Sequence, residues 1–517
     1  MENLDIAEME LPCNDELIDY LDVLRRLREI DQNKSCGVDA IHPVVLKNCA
    51  ESIALPLTII MKSSFNKSEL PIQWRAANIT PLFKKGDKLE ASNYRPVSLT
   101  SIPCKIMECI IRDCLQKHFA KYNLISKEQH GFVKGKSCTT NLIEALDYIS
   151  YNLANGIPID EALLDFVKAF DSVAHRRLLL KIENLGIRGL VLKWIEAFLK
   201  NRIQRVVQGE IVSTWKEIFS GVPQGSVIGP LLFVIFINDM PNVFENKSEL
   251  YADDTKILSE INVNNQDSSL QRDLNNASEW SKKWLLSFNT EKCVIMHYGK
   301  NNPKLKYTLN GTELKESESE RDLGVIFSSN LKWKQQIISC SSKAYSMMGM
   351  LKATFYQFDI ELVKTLYKAF IRPLIEFAVP VWSPYYKGDI NILEKVQHRM
   401  TRLVPFLRKL TYDRRLEILE LTTLETRRER GDLLQVFKLL NNFEKIELVN
   451  KPVLRQESIT RGHNLKYERE RVSYLPRHNF LFNRSANVWN ALPKDIVNST
   501  TINEFKNKLD NLNKRRF

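Results

Sequence analysis

Two adjacent aspartates, Asp253 and Asp254, sit inside an otherwise apolar, strand-prone run, Leu250-Tyr-Ala-Asp-Asp-Thr-Lys-Ile-Leu258. Neighbouring carboxylates repel when both are ionised, so a fold that keeps them normally offers a cation to share. The alternation on either side predicts two short strands joined at the pair, with both carboxylates at a hairpin tip. Two upstream stretches carry matching chemistry: Asp165-Phe-Val-Lys-Ala-Phe-Asp171 and the turn-rich Gly221-Val-Pro-Gln-Gly-Ser-Val-Ile-Gly-Pro230.

A chain of 517 residues has room for two to four domains, and 44% hydrophobic content is that of an ordinary globular protein. The longest apolar run, between Pro230 and Asn238, falls far short of the ~20 residues a membrane helix needs. The acidic N-terminus has neither the basic nor the apolar part of a secretory leader, so an intracellular protein is expected, nuclear or cytoplasmic. Nine cysteines form no C-x-x-C pair. Cys104, Cys109 and Cys114 recur every five residues, roughly 140° apart on a helix, which predicts free thiols and not a metal cluster. The charge of +12 is uneven: residues 401–517 hold 24 Lys and Arg against 14 Asp and Glu, leaving only +2 for the first 400. A basic C-terminal region on a neutral body is the footprint of a polyanionic partner.

Along the chain, residues 14–65 read as helical with a break at Lys34–Asp39. Strands are expected at Ala77–Phe83 and around Arg95–Leu99, followed by an amphipathic helix from Cys104 to Tyr122. Glu161–Asp165 reads as a short buried strand, Ala174–Lys200 as helix interrupted near Gly186, and Arg205–Phe219 as a hairpin. Helical signals return at Gln266–Phe288 and dominate from about residue 334.

Extending a nucleic-acid strand needs an activated 3′-hydroxyl, a triphosphate held in line and neutralised charge on the departing pyrophosphate. Two hard divalent cations held by carboxylate oxygens meet that need. Asp165 on one strand and Asp253 on another suit such a pair of ions, with Asp254 in support.

These residues resemble the reverse transcriptases of non-LTR retrotransposons, most closely the jockey-like group, over nearly the whole chain. Lys84-Lys-Gly-Asp87 with Asn93-Tyr-Arg-Pro-Val-Ser-Leu99 is similar to the family's fingers segment, and Glu128-Gln-His-Gly-Phe132 to its next block. Asp165–Asp171 matches the palm strand with the first catalytic aspartate, Gly221–Leu231 the template and nucleotide loop, and Tyr251–Asp254 the catalytic hairpin. Trp284–Lys292 and Leu323-Gly-Val325 resemble the segment near the triphosphate and the primer grip. Arg372–Glu376, Val381–Pro384 and Leu393–Gln397 resemble the thumb. Leu424–Arg428 and Trp489–Pro493 resemble the C-terminal extension.

The resemblance implies an α+β fold: a right-hand polymerase with fingers, a palm built on a ferredoxin-like antiparallel sheet, and a helical thumb, followed by a basic helical extension. The boundaries expected are 1–75 for an N-terminal helical segment, 76–330 for fingers and palm, 331–405 for the thumb and 406–517 for the extension. It implies an RNA-directed DNA polymerase acting with two Mg²⁺ (Mn²⁺ as substitute), an RNA template, a DNA primer or target and deoxynucleoside triphosphates. Asp165, Asp253 and Asp254 would be the catalytic and metal-binding residues. Lys85 and Arg95 would neutralise triphosphate oxygens, and Phe170 would bar a 2′-hydroxyl. Gln224 and Gly225 would let backbone approach the nucleotide, and Lys292 would lie near the leaving group. Arg427 and Arg428 would contact nucleic acid. Asp171 is read as a helix cap and His175 as a packing or surface residue.

Family members usually begin with a metal-dependent endonuclease, and nothing in the first 80 residues resembles one, so a chain without that domain is expected. Asp322 stands where the family usually has Tyr. The rival reading is a catalytically inactive, nucleic-acid-binding relic or repurposed element protein; retention of all three aspartates weighs against it.

Overall fold

The computed structural model describes residues 17–262, 268–455 and 463–516. The openings of the helical runs expected from residues 14 and 266 lie outside the described residues. Two compact units form: Met1–Phe132, Asp165–Glu245 and Leu274–Thr290 in the first, Val133–Leu164, Asn246–Asp273 and Glu291–Phe517 in the second. In chain order the strands are β1 (Ala76–Phe83), β2 (Tyr94–Leu99), β3 (Ile159–Leu164), β4 (Arg202–Gln208), β5 (Ile211–Val212), β6 (Lys216–Ile218), β7 (Lys247–Tyr251), β8 (Asp254–Glu260) and β9 (Val294–Tyr298), then β10 (Thr308–Leu309), β11 (Thr312–Glu313), β12 (Lys315–Glu316), β13 (Ser319–Asp322) and β14 (Val325–Ser328).

In the first unit, β2, β1, β4 and β5 lie side by side, with β6 also on β4. β1 runs antiparallel to β2 and parallel to β4. The helix Ile102–Tyr122 begins where the Ser101 hydroxyl accepts the Cys104 N–H and ends at Asn123 in the left-handed region, a stop that asparagine tolerates. It is amphipathic, as expected: Lys105, Cys109, Arg112, Asp113, Gln116, Lys117, Ala120 and Lys121 form its less buried stripe, and twelve residues on the other side are buried, including Cys104, Glu108 and Cys114. Burial pushes the Cys104, Cys109 and Cys114 thiols up, which keeps them neutral. The helix Gly229–Ile237 starts with Pro230 in its first turn and is apolar all round, so it is enclosed on every side.

The second unit is built on a five-stranded sheet ordered β12-β9-β3-β8-β7, antiparallel except for the β9–β12 pair. β3 is buried on both faces, as a central strand must be. The helix Cys138–Ala154 is started by a reciprocal cap between Ser137 and Thr140. Its Leu142, Ile143 and Ile149 belong to a core that continues through Ile159 and Leu258 to Val363, Val436, Trp489, Phe505 and Leu509. The C-terminal helices therefore share one hydrophobic interior with the sheet. Arg477, fully buried, ties them together: it donates to Asp147 at 2.6 Å and to Glu470 at 2.5 Å. Among the described residues no helix is long and apolar enough to cross a membrane.

Candidate active site

The β7–β8 hairpin closes on a two-residue turn, because Tyr251 pairs directly with Asp254. Ala252 carries the turn at φ +55°, a left-handed conformation an L-residue adopts at a cost. Asp253 occupies the turn and Asp254 opens β8, half-buried and exposed respectively. Tyr251 supports the turn from below: its bond to the Cys138 thiol, with burial, pushes its phenol up to about 12. Leu164, the last residue of β3, pairs with Thr255, and Asp165 is the next residue of the chain. After Asp165 the backbone leaves the sheet: the Asp165 carbonyl accepts the Asn289 N–H at 2.8 Å and Phe166 stacks on Phe288.

Two buried charges lie along the same sheet. Lys256, two residues after Asp254, forms an ion pair with Asp322, the last residue of β13, with side-chain exposures of 4% and 9%. Burial alone would lower the Lys256 pKa, but the carboxylates of Asp322 and Glu161 outweigh it and raise it. Glu161 on β3 is pushed up to about 7 by burial and accepts the Tyr298 hydroxyl at 2.7 Å. Beyond Asp322, Leu323 (φ +42°) and Gly324 (φ +92°) make a two-residue turn into β14, the paired positive φ of a tight hairpin.

Five of the expected nucleotide residues, Lys85, Arg95, Phe170, Gln224 and Gly225, lie in the first unit. Lys84 and Lys85 extend from the β1–β2 hairpin and are exposed; Arg95, also exposed, pairs across it with Leu82. Ser98 on β2 donates its N–H to the Gln224 carbonyl at 2.6 Å, which docks the 221–230 loop against the hairpin. Val222 donates to the Phe170 carbonyl, and the Gln224 side chain donates to Asp171 at 3.2 Å. Phe170 is half-buried and stacks on Phe233 with ring centroids 4.5 Å apart. Asp171 is not a helix cap: the helix His175–Asn184 starts from Ala174 without a side-chain cap. Its carboxyl is pushed up by burial, against the pull of Gln224, Lys168 and Lys84. His175 packs, its Nε2 on the Gly221 carbonyl at 2.7 Å.

Gly225 has a different reason for being glycine than nucleotide approach alone. At φ +113° a Cβ would meet the Ser98 carbonyl oxygen at 2.6 Å, so the contact with β2 by itself forbids a side chain. Sequence reasoning missed Glu108. Buried on the helix Ile102–Tyr122, it accepts the N–H groups of Val227 (2.7 Å) and Ile228 (3.1 Å) and so pins the far end of the same loop. No local signal marked it, since the backbone it holds lies 119 and 120 residues away in the chain.

Lys292 is exposed just before β9, in the second unit. Arg427 and Arg428 do not present their charge outward. Arg427 makes a two-pronged ion pair with Glu376, and Arg428 is 5% exposed among the carboxylates of Glu394, Glu425, Asp432 and Glu376.

Residues 83–337 match the family Reverse transcriptase (RNA-dependent DNA polymerase). That segment is a reverse transcriptase domain. The chain is 26% identical over 411 residues to the RNA-directed DNA polymerase from mobile element jockey of Drosophila melanogaster, a match covering 77% of this chain and 44% of the relative. A probable RNA-directed DNA polymerase from transposon BS of the same species is 25% identical over 433 residues, 77% of this chain and 45% of the relative. The corresponding protein of transposon X-element is 24% identical over 402 residues, 75% and 44%. The chain thus spans less than half the length of these relatives, and the reverse transcriptase domain contains both Asp165 and the Asp253–Asp254 turn.

Proposed function

We propose that this chain is an RNA-directed DNA polymerase of a non-LTR retrotransposon, adding deoxynucleotides to a 3′-hydroxyl on an RNA template. The observation that carries the reading is the hairpin turn at Asp253–Asp254, borne on the strand paired with the one that runs directly into Asp165. Oxygen donors alone, on a tight turn and at a strand end, suit hard cations. Asp165, Asp253 and Asp254 would hold two Mg²⁺, which supply neutralisation of charge on the triphosphate and a lower pKa for the attacking hydroxyl.

The remaining residues position substrate. Lys85 and Arg95, exposed beside each other's hairpin strands, would hold the triphosphate oxygens, Lys85 as a point charge and Arg95 as a planar fork. Phe170, braced by Phe233, would stand against C2′ of the sugar and exclude ribonucleotides. Gln224 and Gly225, fixed to β2 at one end and through Glu108 at the other, would form the rigid floor beneath the nucleotide. Lys292 would sit toward the leaving pyrophosphate. In this reading β1–β2 belongs to the fingers, the β3–β7–β8–β9 sheet to the palm and the helices after residue 331 to the thumb, with 406–517 as the extension.

The test is dTTP incorporation on poly(rA)/oligo(dT) with Mg²⁺, comparing the chain with Asp253→Ala. Incorporation in the parent that falls to background in the variant is expected. Binding of primer–template by both proteins with extension by neither, even with Mn²⁺, replaces this reading with that of an inactive binding protein.

A further inference from the structure

Arg427 is held by Glu376 and Arg428 is buried, so the cations of the C-terminal region open to a polyanion are found elsewhere on it. The segment from Arg399 to Arg415 has the required features. Arg402, Arg408 and Lys409 are exposed, and among the described residues none of them is in an ion pair. The Arg408 Nε donates to the Arg402 carbonyl at 3.2 Å, so the two guanidinium-bearing residues pack together. Phe406, between them in the turn Pro405–Lys409, is 62% exposed, an aromatic ring among cations.

The second observation is Arg415, on the helix Tyr412–Ile418. It is 1% exposed, yet among the described residues its Nε and Nη1 have no hydrogen-bond partner and no carboxylate pairs with it. Its other nitrogen, Nη2, donates to the Nε2 of His398 at 3.0 Å, which holds that imidazole neutral. Its guanidinium also lies 5.6 Å from the Tyr412 ring centroid. Burial pushes its pKa down, and the charge of Arg402 pushes the same way; the His398 imidazole is lowered by burial and by both arginines. The carboxylates on this helix are exposed: Glu417 is taken by Arg414, and among the described residues Asp413 has no ion-pair partner. Arg428 is also buried and also has an unfilled nitrogen, Nη2, but four carboxylates lie near it. A covered cation with unfilled donors and only like charge beside it is costly by itself, and an anion set against it removes the cost.

We propose that Arg402, Arg408 and Arg415 form a site for the backbone phosphates of a nucleic-acid strand, with Phe406 offering its ring to a base of that strand. The proposal deepens the polymerase reading, which makes nucleic acid the polyanion present. Arg402 and Arg408 supply forked donors that match phosphate oxygens, and Arg415 supplies the field behind them. Stacking on an exposed ring is indifferent to sequence, as a templated enzyme requires.

The experiment measures binding of a fluorescein-labelled single-stranded RNA, and of the same sequence as DNA, to the full chain across a salt series without nucleotides. Loss of two phosphate contacts in the Arg402→Ala/Arg408→Ala double variant should reduce the slope of log affinity against log salt by about 1.4 for a single strand. Affinity near ~100 mM salt should fall at least about tenfold. Arg414→Ala removes one exposed charge from the same helix but from an existing ion pair, and should leave the slope unchanged. Arg415→Met should weaken binding while raising the melting temperature, a combination that a purely structural arginine does not give.

Equal slopes for the double variant and Arg414→Ala overturn the site. An Arg415→Met protein that melts lower and keeps the parent slope removes Arg415 from it. A chain that binds in the charge-dependent manner yet incorporates no dTTP keeps this site and loses the polymerase reading. A chain that incorporates dTTP with affinity unaffected by these variants does the reverse.

Discussion

Replacing Lys256 with methionine removes one half of the buried ion pair that joins β8 to the end of β13. Both partners are more than nine-tenths covered, and breaking such a pair from one side costs about 3–5 kcal/mol because the other charge stays buried. The two single variants are not equivalent. Asp322→Asn leaves Lys256 with Glu161 and Glu249 still nearby, so its cost falls near the lower end, about 3 kcal/mol. Lys256→Met leaves Asp322 beside Glu161 with the shared cation gone, which moves the cost toward about 5 kcal/mol. The double variant Lys256→Met/Asp322→Leu has no charge to strand and should return to within about 1 kcal/mol of the parent.

Urea unfolding followed by tryptophan fluorescence gives the three differences, and the cycle isolates the coupling. Because the Lys256 pKa is raised above 10.5, the pair's contribution is fully present below that pH and is lost as pH rises through the folded value. A loss under about 1 kcal/mol for Lys256→Met, or single costs that simply add in the double variant, would refute the argument that this pair is buried and mutually dependent.

Glu161 should make stability fall as pH rises from about 4.5 to about 7, since over that window the unfolded carboxyl has ionised and the folded one has not. The drop is on the order of 3 kcal/mol, and Glu161→Gln, measured by unfolding at pH 5 and pH 8, should flatten it. Gly225→Ala should cost more than about 2 kcal/mol and abolish dTTP incorporation, since the methyl group meets the Ser98 carbonyl at a φ of +113°. An active Gly225→Ala protein with the parent melting temperature counts against the loop docking described above.

Hairpins and helix starts were legible because their signals are local. Alternation on both sides of Asp253–Asp254 put the turn where Tyr251 and Asp254 pair, and the strand read at 161–165 is β3, ending one residue before Asp165. Polar residues inside the core were not legible, since their partners are distant in the chain. Glu108 looks like the wet face of a helix until the 227–228 backbone is set against it. Asp322, unusual for the family at its position, has its reason in Lys256, 66 residues away. For Arg427 and Arg428, composition counts the charge without its setting: Arg427 pairs with Glu376, and Arg428 is buried.

The Asp147–Arg477 pair has a consequence for synthesis of the chain. Its partners are 330 residues apart, and at about 5–20 residues per second a ribosome takes roughly 16–66 s to deliver the second after the first. Throughout that interval the helix Cys138–Ala154 lacks both the cation for Asp147 and the C-terminal part of its apolar interior. The nascent chain therefore carries an uncovered aliphatic face and a carboxylate awaiting burial until translation is nearly complete. Chaperones that hold such surfaces should bind ribosome-tethered chains ending before Arg477 and release those that extend past Leu509.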